Sequence, residues 1–156
     1  MYGRDRNIRD LSFLPSSPFQ AQVDFIDRIP AQKAKVGDID IAYKILGENN
    51  SRKSIVLIPA TSMTMDMWSP TLLKELSSNH TIIIFDNRGA GESTNETKEF
   101  SIKQFANDTT EFLKTLKINK ADIRGFSLGS FIAQELALTH PDMIGSLVLY
   151  GSSWWR

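Results

Sequence analysis

Two short, uninterrupted apolar runs constrain most strongly how this chain can fold. They are SIVLIPA, which begins at Ser54, and TIIIFD, which begins at Thr81. A strand with one solvated face alternates apolar and polar residues, so continuous β-branched runs indicate strands that are covered on both faces, as in a parallel sheet. ADIRGF and SLVLYG, the latter from Ser146, show the same pattern more weakly.

Segments with helical periodicity separate these runs. Ser69-Pro70 provides an N-cap and a first-turn proline before TLLKELS, and Ser101 with Gln104 predicts a capping box. The helix after Ser101 is expected to carry an apolar stripe of Ile102, Phe105, Phe112, Leu113 and Leu116.

A hairpin and a third helix complete the pattern. KAKVGDIDIAYKI alternates around Gly37-Asp38 and predicts a β-hairpin, while the helix after Ser127 must end near His140 because Pro141 follows. The order is a hairpin and then β-α-β-α-β-α-β, which predicts an α/β fold with a mostly parallel sheet and helices on both faces. Ligands of such sheets bind outside the carboxyl ends of the strands.

Composition narrows the class of protein. Residues 1–30 interleave charges, prolines and serines and are expected to form an irregular arm, followed by one domain over residues 31–156. The formal net charge is zero, so nucleic acid is not an expected partner, and no apolar run approaches the length of a membrane span. No cysteine is present, and we expect no metal site, no cofactor and a cytoplasmic protein.

A candidate catalytic motif is Gly125-Phe126-Ser127-Leu128-Gly129, which lies between an expected strand and an expected helix. This is the context of a nucleophile elbow, in which flanking glycines relieve crowding around a serine on a strained turn. The Leu128 N–H would then face a developing oxyanion. The motif alone is also typical of a helix N-cap serine in a tight turn.

Two further segments, in the right order and spacing, make residues 33–153 resemble the α/β-hydrolase family. One is Ile58-Pro59-Ala60-Thr61-Ser62, with Trp68 downstream, where the family usually has a His-Gly pair before its second oxyanion donor. The resemblance implies that Thr61 donates its backbone N–H, and that Ser62 and Trp68 contact substrate. Pro59 and Ala60 depart from the family pattern.

The other segment, DNRGAGES from Asp86 to Ser93, is similar to the family's D-x-R-G-x-G-x-S turn. We expect an architectural role, in which Gly89 and Gly91 allow positive φ and Asp86 and Arg88 tie down the loop by charge-assisted hydrogen bonds. Nucleotide binding is disfavoured because a third glycine is missing and the glycines do not open a helix.

The resemblance also implies partners for Ser127 that this sequence does not supply. In the family an acid and then a histidine follow the serine, but His140 lies at the far end of a helix and His80 precedes its strand. We therefore expect an α/β-hydrolase fold truncated after its sixth strand. It would lack the cap, the last two strands, the acid and the histidine, and it would have an exposed apolar edge on which Trp154 and Trp155 have little to pack against.

Two functions follow from these expectations. The first is an esterase-like serine hydrolase acting on a small acyl or ester substrate, inactive as this isolated chain and dependent on a complementary C-terminal half or a homo-oligomer. The second is a non-catalytic product or a binding module that holds an apolar ligand or a partner near Met63, Met65, Met67 and Trp68. Core packing is an equally good interpretation of these methionines.

Overall fold

The computed structural model describes residues 25–47, 53–95 and 100–151. In this part of the chain six strands form one sheet: β1 Gln32–Val36, β2 Ile39–Leu46, β3 Ser54–Ile58, β4 Thr81–Phe85, β5 Ala121–Phe126 and β6 Ile144–Tyr150. Their order across the sheet is β1-β2-β4-β3-β5-β6. The first two pairings, β1 with β2 and β2 with β4, are antiparallel, and the other three are parallel. The predicted mostly parallel α/β sheet is confirmed.

The hairpin between β1 and β2 turns through two residues. Val36 pairs with Ile39, so Gly37 and Asp38 form the loop, and Gly37 has φ +57°. A two-residue hairpin loop requires a positive φ of this kind, which glycine adopts at little steric cost. The hairpin predicted around Gly37-Asp38 is confirmed.

Three helices connect the parallel strands: α1 Pro70–Ser77, α2 Ile102–Thr115 and α3 Leu128–Thr139. Ser69 and Ser101 cap the first two, since their hydroxyl oxygens accept from Leu72 N at 3.4 Å and Gln104 N at 3.1 Å. The capping box is only half formed. Only the bond from Gln104 N to the Ser101 hydroxyl caps this helix, while the Gln104 side chain points to Asp108, where its Nε2 donates to Oδ1 at 2.8 Å.

The core lies in two layers, one on each face of the sheet. Along β4, Ile83 and Phe85 pack with α2 and α3, whereas Ile82 and Ile84 pack with Leu73 of α1 on the opposite face. Both sets are at most 1% exposed. Burial on both faces is therefore the physical reason for the uninterrupted apolar run. Each such buried side chain stabilises the folded state by about 1.5–3 kcal/mol.

The end of the predicted N-terminal arm packs on the second layer. Residues 25–27 form a helical turn, and Ile26 is 2% exposed. The buried Lys44 ammonium fixes this turn by donating to Ile26 O at 3.2 Å and to Asp66 Oδ1 at 2.6 Å. Residues 1–24 lie outside the described part of the chain, so the arm is described only from residue 25 onward.

Strand β6 lies at one edge of the described sheet and is more exposed than the other parallel strands. Leu147, Val148, Leu149 and Tyr150 are 36–43% exposed. The expected apolar edge is present, while Trp154 and Trp155 lie outside the described residues. None of the described helices combines the length and apolarity that a membrane crossing requires.

Candidate active site

The backbone at Ser127 is strained. Ser127 joins β5 to α3 with φ 51° and ψ −113°, a conformation that non-glycine residues rarely adopt. Its N–H donates to Tyr150 O at 3.0 Å and its carbonyl accepts from Ser130 N at 2.9 Å, so the end of β6 and the first turn of α3 both hold this residue. Strain of this kind persists only where the surrounding structure enforces it, and it is common at functional sites.

Close packing around the elbow, residues 125–129, explains its glycines. A Cβ on Gly125 would lie 2.3 Å from Gly129 O, and a Cβ on Gly129 would lie 2.1 Å from Ile58 O. Real Cβ atoms essentially never approach other atoms so closely. The glycines therefore let the start of α3 press against the ends of both β3 and β5.

Ser130, which is not among the predicted site residues, secures this arrangement. It is completely buried, and its hydroxyl lies 2.6 Å from Gly125 O and 2.9 Å from Tyr150 O. The hydroxyl proton can be shared between these two carbonyls at the ends of β5 and β6. A serine three residues after the elbow serine, in the first turn of the helix, was the available sequence signal.

A cavity of about 750 Å³ opens beside the elbow. Leu128 lines it from the first turn of α3, where a backbone N–H has no acceptor within the helix. Thr61 and Ser62 line it from the loop after β3, in a turn closed by Met63 N donating to Ala60 O at 3.2 Å. The structure thus brings Leu128, Thr61 and Ser62 to one cavity.

The turn at Thr61 is also strained, because Ser62 has φ +58°. A turn with positive φ at its third residue but not at its second is of the type II kind, and its internal hydrogen bond does not use the N–H of the second residue. Thr61 is that second residue. Its predicted role as a backbone donor therefore has a suitable local conformation.

The glycine loop, residues 86–93, forms another wall of the cavity and is centred on the Asp86 carboxylate. Asp86 is 1% exposed and accepts from Met65 N at 2.7 Å and from Glu92 N at 2.8 Å. Burial raises the pKa of Asp86, although both N–H groups favour the ionised form and act in the opposite direction. Gly91 is required here because a Cβ would collide with this carboxylate.

Arg88 anchors the same loop to two distant parts of the chain. Its Nε donates to Asp108 Oδ2 at 2.8 Å, and its Nη2 donates to Asp108 Oδ1 at 2.8 Å and to Asp38 Oδ1 at 3.0 Å. The Arg88 side chain is 1% exposed, and its hydrogen bonds to Asp108 raise the pKa of the guanidinium further above neutrality. These contacts are the kind expected of an architectural loop.

Trp68 lies away from the cavity. It is 4% exposed and packs in the core layer of α1, as do Met63 and Met65, whereas Met67 is 62% exposed. The structure therefore favours core packing over a ligand-binding rim for Met63, Met65 and Trp68. The physical reason is that the segment folds inward between β3 and α1.

Both histidines lie at the amino edge of the sheet, opposite Ser127. His80 immediately precedes β4, and His140 caps the far end of α3 before β6. Because β4, β3, β5 and β6 are mutually parallel, their starting ends share one edge and Ser127 lies at the other. The twelve-residue α3 alone spans about 18 Å. Neither histidine of the chain can reach the Ser127 hydroxyl.

The described residues contain no evident metal site, because no group of three or more of their His, Cys, Asp or Glu side chains could hold an ion. Ser127 immediately precedes Leu128, and Leu128 and Thr61 line the same cavity. A serine hydroxyl near two backbone N–H groups is an arrangement that suits attack on a carbonyl carbon with stabilisation of the resulting oxyanion.

Comparison with solved structures identifies close matches to this fold. An alpha/beta hydrolase fold protein from Chitinophaga pinensis superposes with a TM-score of 0.76 at 34% identity, over 81% of this chain and 45% of that protein. The enol-lactonase from Burkholderia xenovorans LB400 gives a TM-score of 0.71 at 29% identity, over 74% of this chain and 45% of the lactonase.

Sequence comparison leads to the same group of proteins. The pyrrolizixenacetamide deacetylase of Xenorhabdus hominickii is 28% identical over 120 residues, which are 77% of this chain and 44% of the deacetylase. The chain spans about two fifths of the length of the curated relatives that it matches. The family model described as the alpha/beta hydrolase fold matches residues 53–155, about two thirds of the chain. The chain therefore belongs to the α/β-hydrolase family.

Proposed function

We propose that this chain provides the nucleophile and oxyanion-binding part of a serine hydrolase that acts on a small ester or related acyl substrate. The observation that carries the proposal is the positive-φ Ser127, next to a cavity that Leu128 and Thr61 both line. The relatives support it, since they include an enol-lactonase and a deacetylase. No cofactor is needed for this chemistry.

In the proposed reaction the Ser127 hydroxyl attacks the carbonyl carbon of the substrate. A base takes the hydroxyl proton as the Oγ–C bond forms, and the carbonyl oxygen becomes an oxyanion that accepts from the Leu128 and Thr61 N–H groups. Collapse expels the alcohol, which takes up the proton, and leaves an acyl group on Ser127. Water then hydrolyses this ester by the same steps.

A histidine base is not available to Ser127 within residues 1–156, since both histidines lie at the opposite edge of the sheet. We propose that a complementary C-terminal polypeptide or a second copy provides the histidine and its acid, and that the isolated chain is inactive. A serine hydroxyl without a base is a poor nucleophile, so the strained turn alone does not confer reactivity.

Fluorophosphonate labelling with added imidazole tests the nucleophile without requiring the complementary part. Imidazole can diffuse into the open cavity and replace the absent base. We expect negligible labelling of the isolated chain, measurable labelling with imidazole, and none in Ser127→Ala. The exposed Ser78→Ala variant is the matched control and should label like the native chain. Labelling that persists in Ser127→Ala, or no labelling at any imidazole concentration, contradicts the proposal.

Thr61→Pro tests the proposed oxyanion donor. Proline lacks an N–H but suits the second position of a type II turn, so the substitution removes the donor while preserving the turn. We expect imidazole-dependent labelling to fall by about 100-fold, whereas Thr61→Ala, which keeps the N–H, should change it by less than about threefold. Equal labelling rates for the two variants would show that Thr61 is not a donor.

A binding module is the second candidate function, favoured by the apolar side chains of Phe100, Ile102 and Phe105 in the cavity and by the distance of both histidines from it. In this case small ligands would bind to the cavity while imidazole failed to produce any labelling at Ser127. The two candidates therefore give different results in the same set of experiments.

A further inference from the structure

Phe100 presents an aromatic surface to the cavity. Its side chain is 60% exposed and lines the cavity, while its ring stacks on Phe105 with centroids 5.8 Å apart and planes inclined by 22°. Gly89 lies against the ring edge, where a Cβ would be 3.0 Å from Phe100 Cζ. The ring is therefore supported by Phe105 and the glycine loop, and much of its surface is free to contact a ligand.

Charge in the cavity wall is already neutralised. Arg88 is the one charged side chain among the described lining residues, and Asp38 and Asp108 occupy its guanidinium. The Ser101 hydroxyl caps α2, but Thr61, Ser62 and Thr64 add further hydroxyl groups to the wall. The described wall can thus donate hydrogen bonds to a neutral ligand, but it provides no free cation to balance a carboxylate.

We propose that this site accepts uncharged acyl substrates that carry a flat apolar group, such as a phenyl ring, which packs on Phe100. The inference rests on the proposed function, because the same cavity contains the candidate oxyanion donors. Its volume of about 750 Å³ is within the usual range of small-molecule sites and leaves room for a ring beside the ester group. A carboxylate would lose its hydration without gaining an ionic partner.

The matched ligands methyl phenylacetate and phenylacetate test this inference. They share the same ring and differ in charge, and binding to the Ser127→Ala chain can be measured by ligand-observed NMR without any reaction. We expect the ester to bind at least about tenfold more tightly than the acid, since an unpaired carboxylate is costly to desolvate. Equal or tighter binding of the acid would overturn the proposal.

Variants of Phe100 test the aromatic surface. Phe100→Ala should weaken ester binding by about three- to tenfold, and Phe100→Tyr, which keeps the ring, should retain it. Leu138→Ala, which removes a 77% exposed apolar side chain from α3 outside the cavity, should leave binding unchanged. If Phe100→Ala does not fold, Phe100→Leu removes the ring but keeps an apolar side chain. Unchanged ester binding in a folded ring-less variant would overturn the proposal.

The outcomes also separate this inference from the proposed reaction. Preferential ester binding without imidazole-dependent labelling would refute the serine hydrolase and leave a site for neutral aromatic ligands. Labelling of Ser127 without a preference for the ester would support the hydrolase and refute the substrate class. The two proposals can therefore fail independently.

Discussion

The glycine loop and the elbow lie at the same edge of the sheet but are held in different ways. Polar contacts hold the glycine loop, where Asp86 and Arg88 bind groups from three other segments and the N–H of Glu92 within the loop itself. Close backbone packing holds the elbow, where Gly125 and Gly129 leave no room for a Cβ. The loop should therefore be sensitive to the removal of charge, and the elbow to the addition of atoms.

Arg88→Met should have the largest effect on stability. It leaves Asp108, 8% exposed, without its ionic partner, which should lower the free energy of unfolding by about 3–5 kcal/mol in urea denaturation. Lys114→Met, which breaks the exposed pair with Glu111, should cost less than about 1 kcal/mol. Adding Asp108→Leu to Arg88→Met should restore much of the loss. Similar losses in the two single variants would show that burial does not strengthen the Arg88 contact.

Gly129→Ala should have the next largest effect. Its Cβ would meet Ile58 O at 2.1 Å, and the backbone must shift at a cost of about 1–3 kcal/mol, measured by urea denaturation. Gly37→Ala separates crowding from backbone strain, since its Cβ would meet nothing within 4 Å although its φ is +57°. A smaller loss at Gly129 than at Gly37 would contradict close packing as the constraint on the elbow.

Ser127 should show a smaller effect on stability. Here glycine is the favoured replacement, whereas at Gly129 glycine is the residue that is replaced. Glycine accepts positive φ whereas alanine does not, so Ser127→Gly should be more stable than Ser127→Ala by about 1 kcal/mol in thermal or urea unfolding. Both variants lack the hydroxyl, so the difference isolates backbone strain. If alanine were as stable as glycine at this position, the elbow would not store the strain that its φ of 51° implies.

Asp86 should show the weakest effect, as a dependence on pH. Burial raises the folded-state pKa of Asp86 above its ordinary value of 3.8, so the folded chain binds this proton more tightly than the unfolded chain. The contribution of Asp86 to stability is then full below pH 3.8 and falls as the pH rises through the folded-state pKa.

The measurement is the difference in unfolding free energy between the native chain and Asp86→Asn across this pH range. The difference should decrease as the pH rises, while Asp142→Asn, at an exposed position, controls for the general loss of one negative charge. A difference that increases with pH would show that the two N–H contacts outweigh burial, so that the ionised Asp86 carboxylate stabilises the folded loop.

Much of the fold was predictable because burial on both sides of the sheet leaves a direct trace in the sequence. The β3 and β4 runs begin at Ser54 and Thr81 as predicted, whereas β6 begins at Ile144, two residues before the predicted Ser146. The weaker pattern of β6 accompanies its greater exposure. The strand order could not be predicted in the same way, because it depends on which strands pair across the sheet.

The candidate site was predictable only in part. The motifs around Ser127 and Asp86 locate the elbow and the loop, but nothing near Arg88 in the sequence indicates Asp38 or Asp108 as its partners. Trp68 looked like a pocket residue because it follows the loop after β3, yet it is in the core. Phe100 and Ser130 have no obvious role until the cavity and the strand ends are brought together.

The amino-acid sequence by itself determined the alternation of strands and helices, the place of the strained serine and the family of the chain. These features depend on local periodicity, on caps and on glycines at fixed spacing. Only the tertiary structure decided that Thr61, Leu128 and Phe100 share one cavity and that Asp38 and Asp108 are the partners of Arg88. The reason is physical: strand pairing and helix direction set the distances between residues that are remote in the chain, and no local pattern encodes those distances.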